Sequence, residues 1–462
     1  MASFYVENFG CRATQADGAA VERQFQDRGL VRADHASEAE VVVLNTCTVT
    51  AAADRDARAA IRRVRRENPG CQIVVTGCYA QRAPEEIAAL PGVSQVVGNS
   101  HKHQLADIVL PKSESGTFLP LSSLSIGQRP FSACPEPNGE RTNDQRPIHV
   151  SDIFAHTELL AAPVFDAANE RTRPNLKVQD GCDNRCSFCV IPSVRGQSRS
   201  LQLRQVLTEV NALVTAGYRE VVISGINLGR WGRDLAEPAR FEELVRAVLE
   251  ETGLEKLRIS SVEPMDWSDE LIQLIADSPR IASHAHVPMQ SGSDRVLRAM
   301  HRKYRPWHYR EKIEKIRAAM PAAAIGADVM VGFPGETEDD FEATRRMVEE
   351  LPFTYLHVFT YSPRPGTPAA TMRNQVPVNV ARERNQILRD LVARKKLAFM
   401  KSFVGKPVEA ISLNVFDGTH TECLTDNYLP LRLQGHHQAN RWSRSLVDDV
   451  QAGTLRATRQ ST

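Results

Sequence analysis

Cys182, Cys186 and Cys189 fall within eight residues, in the run Gly181-Cys182-Asp183-Asn184-Arg185-Cys186-Ser187-Phe188-Cys189. The run directly follows the strand-like stretch Asn175-Leu176-Lys177-Val178-Gln179. Iron–sulfur clusters that only carry electrons usually take four cysteine thiolates. A set of three leaves one iron free to hold a substrate, as an open zinc position does. The triplet therefore points to chemistry rather than to structural support. Free cysteine also packs as a small hydrophobe, but three at this spacing is a pattern that packing alone does not require.

Alternation of strand-like and helix-like segments sets the frame around this loop. In the first 110 residues, strand runs at 3–7, 40–45 and 72–76 alternate with amphipathic stretches such as 15–28 and 51–66, which predicts a parallel sheet. From 112 to 170 the pattern dissolves into Ser, Pro, Gly and Asn and reads as a mobile linker. A second alternation carries candidate strands at 176–179, 221–226, 257–262, 284–289, 327–333 and 356–361, each followed by a helical stretch. Six such units suggest an open or partial barrel with its ligand on the loops at the carboxyl ends of the strands. A basic helix over 381–401 leads to short β-like runs at 408–413, 428–433 and 451–457, read as a small β-barrel. The fold class is thus α/β. It divides into an N-terminal parallel domain at 1–111, the linker at 112–170, a central partial (β/α)6 barrel at 171–400 and a C-terminal β-barrel at 401–462.

A second set of cysteines emerges from this layout. Cys11, Cys47 and Cys78 each lie just beyond the carboxyl end of a predicted N-terminal strand, and in a parallel sheet those ends share one edge. Gly10 and Gly77 beside them allow close backbone approach to a bulky ligand. Separate core thiols are the alternative. Cys71 opens its strand at the opposite edge, Cys134 is in the linker and Cys423 in the terminal barrel; these read as unligated thiols. No apolar run approaches the roughly 18 residues needed to span a membrane, and the start lacks the layout of a secretory signal. A cytosolic protein is expected, where clustered cysteines mean metal or catalysis rather than disulfides. The net charge of +1 gives no global case for nucleic acid, so any RNA contact must come from local patches.

The Cys-x3-Cys-x2-Cys spacing on the first loop of a β/α barrel resembles the signature of radical S-adenosylmethionine enzymes. Single cysteines after three N-terminal strands and a small terminal barrel make the chain similar to the methylthiotransferases within that superfamily. Asn45-Thr46-Cys47-Thr48-Val49-Thr50 resembles the branch that acts on threonylcarbamoyladenosine beside the tRNA anticodon. Other branches act on isopentenyladenosine in tRNA or on an aspartate of a ribosomal protein. The resemblance implies that Cys182, Cys186 and Cys189 hold a [4Fe-4S] cluster whose open iron chelates S-adenosylmethionine for reductive cleavage to a 5′-deoxyadenosyl radical. It implies that Cys11, Cys47 and Cys78 hold a second [4Fe-4S] cluster, which carries the sulfur to be transferred, and that no catalytic residue is needed beyond these ligands. It further implies tRNA, through its anticodon stem-loop, as partner, and an electron donor such as flavodoxin or ferredoxin.

Other cofactor contacts fall at strand ends: Gly225, Asn227, Glu263, Gln290, Gly332 and Phe333, the last two resembling an adenine-side turn. The loop at Ser224-Gly225-Ile226-Asn227 departs from the Gly-Gly-Glu that many superfamily members carry there. Arg302 pairs with the cofactor carboxylate or is a solvated surface arginine. Two basic stretches are candidate RNA contacts or plain solvated faces: Arg55, Arg58, Arg62, Arg65 and Arg66 after Cys47, and Arg382, Arg384, Arg389, Arg394, Lys395, Lys396 and Lys401 before the terminal barrel. That barrel resembles the RNA-binding TRAM domain, in which Tyr428 and Trp442 either stack on bases or fill the core. The histidines show no metal-ligand spacing, and none is assigned. A non-catalytic cluster-bearing RNA-binding protein is the remaining alternative. The oligomeric state stays open.

Overall fold

The computed structural model describes residues 2–110, 146–156, 159 and 173–459. Most of the expected linker, with Cys134, lies outside the described residues.

Strands β1 (Ser3–Asn8), β2 (Val31–Arg32), β3 (Val41–Thr46), β4 (Gln72–Gly77), β5 (Val93–Gly98) and β6 (Ile148–His149) form one parallel sheet in the order β2-β1-β3-β4-β5-β6. All six residues of β3 are buried, because helices cover both faces, which is why this strand reads as a continuous apolar run rather than an alternating one. Helix α1 (Arg12–Asp27) packs Val21 and Phe25 on Phe4, Val43 and Val97. On the other face, α2 (Ala51–Glu67) packs Ala57, Ile61 and Val64 on Val42, Leu44 and Val75. The three- and four-residue spacing of those α2 positions makes the apolar stripe, and the Thr50 side chain caps the helix by accepting from the Ala53 N–H at 3.2 Å. Strand β6, expected as linker, pairs with β5 through Val96 and Val97. It is two residues long and carries no periodicity to betray it.

The central domain contains β7 (Asn175–Asp180), β8 (Arg199–Ser200), β9 (Glu220–Gly225), β10 (Lys256–Ile259), β11 (His284–His286), β12 (Ala324–Val331) and β13 (Tyr355–Thr360). β10, β9 and β7 are parallel, with β8 added antiparallel at the edge; β11, β12 and β13 form a second parallel sheet. An isolated parallel bridge from Leu257 to Ile281 connects the two halves. The expected α/β class holds: six parallel strands make a partial barrel, and β8 is an addition. Its core joins Val178, Ile223, Leu257, Ala285, Ile325 and Val329 to the surrounding helices.

After the long helix Val378–Lys401 come β14 (Pro407–Phe416), β15 (His420–Thr425), β16 (Pro430–Gln434), β17 (Trp442–Gln451) and β18 (Thr454–Arg459), closed as β14-β15-β16-β18-β17. The expected run at 451–457 is in fact two strand ends around a tight turn. Ala452 and Gly453 both have positive φ, 49° and 75°, the conformation a two-residue hairpin connection demands. No helix among the described residues is long and apolar enough to cross a membrane.

Candidate active site

β1, β3 and β4 are neighbours in register, Asn8 opposite Asn45 and Thr46 opposite Gly77. Their carboxyl ends therefore deliver Cys11, Cys47 and Cys78 to one edge. Cys11 is exposed at the start of α1, whereas Cys47 and Cys78 are buried. The backbone is shaped around them. Gly10 has φ +96°, and a Cβ there would lie 2.7 Å from Cys47 Cβ and 2.9 Å from its Sγ. Asn99 Nδ2 donates to Cys78 Sγ at 3.5 Å and to Val194 O at 2.8 Å, tying this edge to the central domain. Cys71, at the other end of β4, packs partly buried in the α2-side core, and Cys423 lies in the core of the terminal barrel.

Cys182, Cys186 and Cys189 occupy the loop after β7. Asn227 Nδ2 donates to Cys182 Sγ at 3.6 Å, and Arg302 Nη1 to Cys186 Sγ at 3.3 Å. Burial pushes Cys47 and Cys189 up to about 12, so a metal that takes them as thiolates must displace their protons. The donor chemistry fits an iron–sulfur cluster: each triplet offers soft sulfur ligands, the backbone at Gly10 packs on Cys47 too closely for a methyl group, and hydrogen-bond donors reach Cys78, Cys182 and Cys186.

A cavity of about 480 Å³ borders Cys11 and Asn227, the residue that donates to Cys182. Gly225, Asn227, Glu263 and Gln290 line it, together with Cys11 and Arg12 from the N-terminal domain and Tyr428 from the terminal barrel. Ser224 Oγ and Asn227 Oδ1 are buried there without a hydrogen-bond partner, as polar atoms awaiting a ligand are. Gln290 has φ +62°, so the loop after β11 turns back toward the cavity. Arg302 is buried, not solvated. It ion-pairs with Glu263 and lies with its guanidinium carbon 5.0 Å from the Tyr304 ring. Burial acts against its charge, yet Tyr304, Glu263 and the Cys186 sulfur hold its pKa well above the ordinary arginine value. Burial raises Glu263. Gly332 and Phe333 do not line the cavity. The Gly332 N–H donates to Glu336 Oε2 at 2.7 Å, Arg384 Nη1 donates to the same oxygen at 2.7 Å, and Phe333 is fully buried with Val296, Met300 and Ala369.

Several sequence expectations change here. Thr48, within the 45–50 segment that carries the branch resemblance, is a buried tie: its hydroxyl donates to Asp54 Oδ1 at 2.6 Å and accepts from Arg82 and Arg364, both at 2.8 Å. In the basic rows, Arg58 pairs with Glu86 at 2.7 Å. Arg384 is buried against Glu336, and Lys395 donates to the carbonyls of Val348, Glu349 and Leu351. Arg55, Arg62, Arg65 and Arg66 remain exposed. Tyr428 and Trp442 are neither barrel core nor open platforms: Tyr428 takes a hydrogen bond from Arg12 at 3.2 Å, and Lys256 lies 5.0 Å from the Trp442 ring centre.

Residues with no local signature complete the site. Asp17 of α1 accepts from Lys102 at 3.1 Å, from Arg195 at 2.9 Å and from Lys177; Arg195 and Lys177 also hold Asp180. This buried network joins the N-terminal helix to the strand that carries the 182–189 loop. The one hint in the sequence was a lysine in the middle of a buried strand. His286, Asp328 and His357, unassigned from spacing, come together on adjacent strands, with ligand-type atoms all within 4.8 Å of one another.

Two family models match the chain: "Uncharacterized protein family UPF0004" over residues 3–98 and "Radical SAM superfamily" over 176–348. The threonylcarbamoyladenosine tRNA methylthiotransferase MtaB of Bacillus subtilis (strain 168) is 36% identical over 94% of this chain and 91% of its own. The chain belongs to the radical S-adenosylmethionine methylthiotransferases. A protein of the same name from Aquifex aeolicus (strain VF5) is 34% identical over 96% of this chain and 99% of its own. The tRNA-2-methylthio-N(6)-dimethylallyladenosine synthase of Thermobifida fusca (strain YX) is 35% identical over 88% and 77%. Among solved structures, the radical S-adenosylmethionine methyltransferase TsrM from Kitasatospora setae shares the fold, with TM-score 0.56 and 16% identity over 80% of this chain and 75% of that one. In this methylthiotransferase the family resemblance seen in the cysteine spacing extends over 94% and 96% of the chain in the Bacillus subtilis and Aquifex aeolicus relatives.

Proposed function

We propose that this methylthiotransferase replaces the C2–H of N6-threonylcarbamoyladenosine, next to the anticodon of tRNA, with C2–S–CH3. The observation that carries this reading is one cavity walled by all three domains, bordered by Cys11 on one wall and on another by Asn227, which donates to Cys182 Sγ. Cys182, Cys186 and Cys189 would hold one [4Fe-4S] cluster and Cys11, Cys47 and Cys78 a second. When bound, these groups with S-adenosylmethionine would supply a hydrogen-abstracting radical and the sulfur to be transferred.

The chain's own residues position and enclose. Asn227, Glu263 and Gln290 bind the cofactor's polar groups, and Gly225 borders it in the same cavity. Arg302 fixes both Glu263 and the Cys186 sulfur. The networks at Asp17 and Asp54 hold the two triplets at constant separation, which is what keeps two reacting centres in an attack geometry. Exposed Arg55, in the first turns of the α2 helix that follows Cys47, binds the RNA backbone without reading its sequence. The setting is cytoplasmic, with flavodoxin or ferredoxin as reductant.

Nucleoside mass spectrometry of tRNA from cells with and without the gene tests the reading. Loss of the methylthio form of threonylcarbamoyladenosine supports it. Loss of methylthio-isopentenyladenosine instead reassigns the substrate, and no change in any methylthio nucleoside favours a protein substrate. Reconstituted protein with dithionite and S-adenosylmethionine must also yield 5′-deoxyadenosine, or the enzyme reading fails.

A further inference from the structure

Arg12 is the first residue of α1, immediately after Cys11, and it is the one arginine lining the cavity. Its guanidinium donates to the Tyr428 hydroxyl at 3.2 Å, and among the described residues no carboxylate lies within ion-pairing distance of it. Neighbouring arginines are different: Arg258 is held by Glu220 at 2.6 Å and Arg302 by Glu263. The N-terminus of α1 is also bare. Cys11 makes no side-chain cap, and the first turn holds no acidic residue, so its free amides add to the pull on an anion.

Other parts of the cavity wall are hydrogen-bonding rather than apolar. Asp328 Oδ1 lies 3.2 Å from His286 Nε2 and 3.1 Å from His357 Nδ1. The Tyr355 hydroxyl lies 3.0 Å from His286 Nδ1 and 2.7 Å from His284 Nε2. His357 is the exposed end of this chain, its side chain 55% accessible, and so has capacity for a further partner.

We propose that Arg12, with Tyr428, and the Asp328–His357 pair form a subsite that reads the polar chain on N6 of the target adenosine. The carboxylate of the threonine moiety binds the Arg12 guanidinium, and its hydroxyl or a urea N–H binds Asp328–His357. This inference rests on the substrate proposed above and names the residues that select it. A planar guanidinium matches a carboxylate in two parallel bonds. A hydrocarbon chain at N6 would cover Arg12 and Asp328 and pair with neither, and a site built to hydrogen-bond a substrate discriminates strongly against the analogue that cannot. Relatives named for the two nucleosides are 36% and 35% identical to this chain, the first over more of both chains, and the subsite names the residues that would make the choice.

The test is equilibrium binding of anticodon stem-loop RNAs to the reconstituted full-length protein under anaerobic conditions. The three probes carry threonylcarbamoyladenosine, isopentenyladenosine or plain adenosine at the target position. Wild type is expected to bind the first about tenfold or more tightly than the other two, as a charge-assisted pair warrants. Arg12→Gln is expected to bring the first to within about twofold of plain adenosine while leaving plain adenosine unchanged, and Arg12→Lys to restore part of the preference. His357→Phe, remote in sequence from any cysteine ligand, is expected to weaken only the first probe, by about three- to tenfold. Iron content equal to wild type confirms that each variant is assembled.

A preference that survives both Arg12→Gln and His357→Phe overturns the subsite. So does an equal loss for all three probes, which would make Arg12 a phosphate contact. If either occurs while the wild type still modifies threonylcarbamoyladenosine, only the subsite falls. Wild-type preference for the isopentenyl probe removes the subsite and the substrate assignment together.

Discussion

Arg364, in the segment after the last barrel strand, donates from Nη2 to the hydroxyl of Thr48 at 2.8 Å, so the residue next to Cys47 is held by the domain that carries the other triplet. Asp54 takes the same guanidinium and also Arg82 at 3.0 Å, and all of these groups are largely buried. Removing one partner of such a buried pair strands the other charge and costs about 3–5 kcal/mol. Arg364→Met is therefore expected to lower the unfolding midpoint clearly and to reduce turnover at unchanged S-adenosylmethionine cleavage, because the sulfur side alone is displaced. Differential scanning calorimetry together with separate assays of 5′-deoxyadenosine and methylthio product checks both parts.

Asp17 anchors the second interdomain network and gives a pH prediction of definite sign. Burial alone would raise its pKa, but Arg195, Lys102 and Lys177 together overcome this and hold it far below the ordinary 3.8. A carboxylate depressed in the folded state contributes stability that is complete above its unfolded pKa and is lost only as pH falls through that value toward the folded one. Asp17→Asn should cost about 3–5 kcal/mol at neutral pH. The gap between wild type and variant should stay flat between about pH 5 and 7. Urea denaturation at several pH values measures it, and a gap that closes on approach to pH 5 would contradict the depressed pKa.

Periodicity and strand-end logic made the parallel sheet, the partial barrel and the placement of six cysteines legible, because each depends on local pattern or on the rule that parallel strands share a carboxyl edge. What was not legible depends on contacts distant in sequence. Lys177, Asp17 and Arg195 show no motif. Thr48 looks like a specificity residue next to Cys47 and is a buried tie. Tyr428, in a terminal barrel, looks like an RNA platform and instead lines the cavity in contact with Arg12, His284 and Tyr355. The two-residue strands β6 and β8 are too short to have a period at all.

The two triplets predict an iron count. Two four-iron clusters give about eight irons per chain. Replacing Cys182, Cys186 and Cys189 with alanine should leave roughly half, and replacing Cys11, Cys47 and Cys78 should leave the complementary half. Only the second variant should retain reductive cleavage of S-adenosylmethionine. Loss of all iron in the first would mean the N-terminal set binds nothing independently, and unchanged iron would remove the assignment of the 182–189 loop.

Gly10 separates ligand geometry from ligand identity, since it keeps every cysteine. Its φ of +96° is one that side-chain-bearing residues rarely adopt, and an added Cβ would press on Cys47 Cβ at 2.7 Å. Gly10→Ala must shift the backbone between Cys11 and Cys47, or displace the Cys47 side chain, at a site where β3 is buried on both faces and has little room to yield. The variant is expected to lose roughly half its iron, to retain 5′-deoxyadenosine formation and to lose methylthio transfer. Gly29→Ala, at φ +81° with open space around its Cβ, carries comparable backbone strain but no cysteine contact, so its iron content should match wild type. Equal iron loss in both variants would attribute the effect to strain in the domain rather than to the cradle around Cys47.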